Sequence, residues 1–153
     1  MLAGMRRRLI WIALVAYLVA LALIAYWPTP VDRGIDAGLF AVIRRLREQG
    51  LTVVTYGRIE FAANIALFVP FGLLLGALFR RGRRWIAFLL CVAGSAAIEA
   101  GQALFLPGRF ASLADILANS IGGAIGVLAI AVVSRIRSAR STDRADAHTS
   151  PVG

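Results

Sequence analysis

Four predominantly apolar stretches, residues 9–27, 59–79, 85–105 and 113–133, each run for 19 to 21 residues. At about 1.5 Å of rise per residue, a helix of that length covers a hydrocarbon layer roughly 30 Å thick. A soluble domain would need a polar stripe along each such helix, and most of these stretches carry none. The chain has 153 residues, enough for one domain, and 59% of them are hydrophobic. These features predict an all-α, polytopic integral membrane protein: a bundle of four transmembrane helices over residues 1–137. Residues 138–153 are polar and poor in large apolar side chains, and are expected to form a disordered cytoplasmic tail.

The basic balance comes from 17 arginines and no lysine, against eight acids, a net charge of +9. Nucleic-acid binding is one reading of such a charge, but the arginines sit beside the apolar stretches, where they act as topology signals. Eleven of them (Arg6, Arg7, Arg8, Arg80, Arg81, Arg83, Arg84, Arg135, Arg137, Arg140 and Arg144) would share one face of the membrane. Six (Arg33, Arg44, Arg45, Arg47, Arg58 and Arg109) would share the other. The positive-inside rule then puts both termini in the cytoplasm. The first stretch is longer than a signal-peptide core and ends in bulky Tyr26-Trp27, so it is expected to stay as an uncleaved helix. In the first loop, Ile35, Leu39, Val42, Ile43 and Leu46 recur at helical spacing, which fits a short amphipathic helix on the outer leaflet or a solvated connector.

This orientation brings scattered polar residues to one depth. Glu60 and Asn64 open the second span at its outer end, Glu99 and Gln102 close the third there, and Asp115 and Asn119 open the fourth. Spacings of i,i+3 or i,i+4 put each pair on one helix face. Charged groups in a membrane turn toward the bundle or a water-filled cavity, because lipid exposure costs about 2.5–3.5 kcal/mol at the bilayer centre. The three pairs are therefore expected to face one another. Ser112, three residues before Asp115, has capping-box spacing and is explained as well by a helix start as by function. The amides serve equally as interhelical hydrogen-bond partners. Gly122, Gly123 and Gly126 read as close packing, and Cys91 as a small core filler.

Some chemistry is excluded outright. The one histidine, His148, lies in the tail, so the outer cluster can build neither a serine-histidine-aspartate triad nor a histidine-bound zinc site. Neither a GxxxxGK[ST] phosphate loop nor a GxGxxG turn is present. No cofactor is required; three carboxylates with amide carbonyls are nonetheless the donor types of an all-oxygen divalent-cation site.

Glu60-x-x-x-Asn64, Phe68-x-Pro70-x-Gly72, Glu99-x-x-Gln102 and Gly108-Arg109-x-x-Ser112-x-x-Asp115-x-x-x-Asn119-x-x-Gly122-x-x-x-Gly126 together resemble the VanZ-like family of bacterial membrane proteins, with the signature region over residues 58–132. The resemblance implies a small polytopic cell-envelope protein with a link to resistance against the glycopeptide teicoplanin. It brings no mechanism.

The leading reading is an outward-facing polar pocket that meets a membrane lipid headgroup or a lipid-linked cell-wall intermediate. Glu60, Glu99 and Asp115 are the candidate acid/base groups. Asn64, Gln102, Arg109, Ser112 and Asn119 are the candidate binding residues, with Arg109 the phosphate or carboxylate clamp. If chemistry occurs, it is hydrolysis or transfer. The alternatives are a non-catalytic binder of a lipid or antibiotic target, a membrane scaffold and, less well supported, a small transporter. Homo-oligomerisation is left open, and no nucleic-acid partner is expected.

Overall fold

The computed structural model describes residues 2–26, 38, 41–45, 48–50, 55–107 and 111–149. Four long helices follow one another: α1 (Leu2–Ala25), α2 (Tyr56–Leu78), α3 (Arg84–Phe105) and α4 (Leu113–Thr149). A short 3-10 turn at Arg81–Arg83 joins α2 to α3. Among the described residues there is no strand. Each long helix includes a segment long and apolar enough to cross a membrane: Gly4–Ala25, Tyr56–Leu78, Arg81–Phe105 and Leu113–Arg140. The polytopic four-helix architecture read from hydropathy is the one observed.

The helices bury a core of leucine, phenylalanine and small residues and leave many large apolar side chains outward. Leu14 and Leu21 of α1, Phe68, Phe71 and Leu75 of α2, Ala87 and Cys91 of α3 and Val127 of α4 form the core. Around the outside, Ile12, Leu104, Phe105, Leu113 and Leu128 are each more than half exposed. A belt of exposed aliphatic and aromatic side chains on this scale suits lipid, not water. The lone Cys91 is a buried free thiol, the core filler its position suggested.

The tightest pairing is α2 on α4, and glycine makes it possible. A Cβ on Gly72 would run into the backbone carbonyl of Gly123, and one on Gly126 into the carbonyl of Val69. With hydrogen in those places the two backbones pack directly, the small-residue contact that replaces the hydrophobic drive inside a bilayer. Proline 70 sits within α2, which continues through it. Its missing N–H removes the ladder bond to the Ala66 carbonyl.

One expectation needs amendment. The fourth helix continues to Thr149, so residues 138–149, expected to be disordered, are helical. The stretch from Ser134 to Ala147 is rich in alanine and arginine, both good helix formers, and it propagates from a helix already nucleated in the bundle. For the predicted amphipathic loop helix, described residues 38, 41–45 and 48 are helical, with Ile43 buried and Val42 exposed. Ile35, Leu39 and Leu46 lie outside the described residues.

A polar cavity between the four helices

The start of α4 organises the site. Ser112 is its N-cap: the Asp115 backbone N–H donates to Ser112 Oγ at 3.2 Å, while the Ile116 N–H donates to the Ser112 carbonyl at 3.1 Å. In a complete capping box, the Asp115 carboxylate would return the favour to the Ser112 N–H. Here the Ser112 N–H donates instead to Glu99 Oε2 of α3, at 2.7 Å. The Asp115 carboxylate accepts from Asn64 Nδ2 of α2, at 2.9 Å. The capping motif is thus opened and shared with two neighbouring helices.

One turn deeper, Asn119 Nδ2 donates to Ser95 Oγ at 2.9 Å, in a contact where Ser95 is fully buried and Asn119 is 5% exposed. Asn119 Oδ1 is buried without a hydrogen-bond partner among the described residues. A buried acceptor left unmatched costs about 1–3 kcal/mol unless something donates to it. On the far wall, Gln102 Nε2 donates to the Ala25 carbonyl at the end of α1, at 2.8 Å. Nearby, the Tyr26 hydroxyl donates to the Ile98 carbonyl at 3.4 Å. Tyr26 closes against α3 because Gly101 faces its ring without a side chain.

Between these contacts lies a cavity of about 260 Å³. Glu60, Asn64, Glu99, Gln102, Asp115 and Asn119, all six polar span residues expected to converge, line it. Glu60 is exposed, whereas Glu99 is 5% exposed and sits deep in the wall. Ser112 acts as the cap described above, outside the lining. Arg109, the expected anion clamp, lies outside the described residues, as do Gly108 and Phe110. The described lining therefore presents carboxylates, amides, the Tyr56 and Phe68 rings and aliphatic side chains, and no cation.

Sequence reasoning overlooked three contributors. Ser95 is a small residue in the middle of an apolar helix, and nothing about its position signals a partner on α4. Tyr26 entered the reading only as a bulky residue ending the first stretch, and its hydroxyl also bonds α3. The first helix, which lies outside the motif blocks read from the sequence, supplies Leu21, Ile24 and Ala25 to the wall. Among the described residues, no group of three or more His, Cys, Asp or Glu side chains is close enough to hold a metal ion. The three carboxylates share the cavity wall without forming a cluster of three such ligands.

No curated protein and no solved structure matches the chain. A family model described as VanZ/LLP1 does match, over residues 9–134, a stretch that takes in the whole cavity. The residues that build this opened cap and its hollow therefore belong to a member of the VanZ/LLP1 family of membrane proteins.

Proposed function

We propose that this protein is an inner-membrane component of the bacterial cell envelope whose polar cavity opens toward the outer face and receives the headgroup of a lipid or a lipid-linked cell-wall intermediate. The observation that carries the reading is that six polar side chains from three helices line one hollow, walled by a fourth helix. Helix packing alone does not explain three carboxylates in a membrane bundle, because each charge must be solvated or matched. A lipid headgroup reaches such a hollow by lateral entry, with its acyl chains still in the bilayer.

The cavity divides its work by depth. Exposed Glu60 meets an incoming amine or hydroxyl, Asp115 is held by Asn64, and the unmatched Asn119 Oδ1 accepts a donor at the floor. Arg109, three residues before Ser112 in the chain, supplies the cation for a phosphate or carboxylate. Any proton transfer falls to Glu99 or Asp115, with Glu60 as the complementary acid. A link to glycopeptide resistance follows if the headgroup belongs to the antibiotic's target.

The test is glycopeptide susceptibility of a host that depends on this protein, read alongside membrane abundance. Arg109→Ala and Glu99→Gln are each expected to return the host to full sensitivity at unchanged protein level. Unchanged resistance in both would discard the pocket as the working site. The alternative of a binder without chemistry predicts that Asp115→Asn keeps resistance while Arg109→Ala loses it.

A further inference from the structure

The end of the bundle opposite the polar cavity contains a second hollow, of about 440 Å³, with the reverse chemistry. Its charged lining is Arg6 and Arg7 of α1, Arg81 and Arg84 at the start of α3, and Arg137 of α4, with no acidic side chain among them. Ser134 and Ser138 of α4 complete the polar surface, and Ala77 and Leu78 of α2 close the side. The residues of α4 place this hollow about 20 Å from the acidic one, counting the rise from Asn119 to Ser134.

Topology signalling accounts for arginines at a membrane face but does not require them to share a cavity. Five guanidinium groups gathered around one hollow repel one another; Arg84 is part-buried, and Arg6, Arg7, Arg81 and Arg137 are exposed around it. Arg81 is fixed in place by donating to the Ser134 carbonyl and to Ser138 Oγ. Arg84 Nε is buried with no hydrogen-bond partner among the described residues. A fixed fork, an unmatched donor and a described lining with five arginines and no acid together describe a site for an oxyanion.

Arg81 and Arg84 also border an adjacent apolar groove of about 430 Å³. Trp85, Phe88 and Leu128 line it, and all three face outward, toward where acyl chains would lie. The same two arginines thus bridge an anion hollow and a hydrocarbon groove. We infer that this end of the bundle binds an anionic glycerophospholipid, with its phosphodiester among Arg84, Arg81 and Arg137 and one acyl chain along Trp85 and Phe88. On the proposed orientation this is the cytoplasmic leaflet, whose negative lipids are drawn to basic juxtamembrane clusters.

The inference is tested by native mass spectrometry of the full chain in detergent, with phosphatidylglycerol or phosphatidylcholine of the same acyl chains added. The wild type is expected to retain one phosphatidylglycerol in preference to phosphatidylcholine. Arg84→Lys keeps the charge that sets topology but loses Nε and the planar fork, and is expected to weaken retention about tenfold. Arg137→Lys, on another wall, gives the same loss and serves if the first variant does not fold. Arg140→Gln, on an exposed α4 residue in neither hollow, is expected to leave retention unchanged. Equal retention of the two lipids would overturn the inference. So would wild-type retention by both lysine variants, or complete displacement of the lipid by inorganic phosphate, which has no chain to occupy the groove.

Discussion

Ser112 has one backbone N–H, and its destination decides how the site is wired. Because Glu99 accepts it, the Asp115 carboxylate turns to Asn64, and three helices are tied through four residues. Glu99→Ala would strip a part-buried donor of its acceptor and is expected to cost about 1 kcal/mol. Glu99→Gln keeps a carbonyl oxygen there and should cost markedly less. Tryptophan fluorescence during denaturant unfolding in detergent reads the difference; equal losses would mean that the bond from Ser112 carries no weight. Ser95→Ala and Asn119→Ala remove opposite ends of one buried bond. Each is expected to destabilise by about 1 kcal/mol, and the double variant by less than their sum, since the second change removes nothing further. The residue types at this site were legible in the sequence, because polar side chains inside apolar spans have few places to go. Their pairing was not. Helical spacing says that Asp115 and Asn119 share a face, but not that Asn64 takes one and Ser95 the other.

Hydropathy alone located all four spans to within a few residues, because lipid demands length and apolarity before anything else. The contact between α2 and α4 was legible as a run of small residues, and the observed backbone approach explains why they must be small. Gly126→Leu would push a branched side chain into the Val69 carbonyl and part the two helices. It is expected to abolish a folded bundle, whereas Gly4→Leu, with nothing within 4 Å, should unfold like the wild type. Monitoring yield of folded protein by size-exclusion in detergent distinguishes them; a monodisperse Gly126→Leu protein would contradict the packing. Less was legible at the ends. A polar, alanine-rich tail reads as coil when its composition is taken alone, yet it continues a long helix that begins in the bundle. The part played by α1 was also hidden, since it offers the cavity a backbone carbonyl and aliphatic side chains, and neither leaves a polar mark in a sequence.

The whole molecule is polarised along its helix axes. All three acids of the membrane-spanning segments line one hollow, and five arginines line another at the opposite end. A bundle that only filled space would have no reason to separate its charges in this way. The proposed function requires one direction in the membrane, with the acidic hollow facing outward. That direction is open to direct measurement in intact cells. With Cys91 replaced by serine, single cysteines at Glu60, Glu99 and Asp115 would be treated with a membrane-impermeant maleimide added outside. All three are expected to label without permeabilisation, Glu60 fastest and deeply set Glu99 slowest. Labelling of any one of them only after the cytoplasm is opened would contradict a single outward-facing cavity.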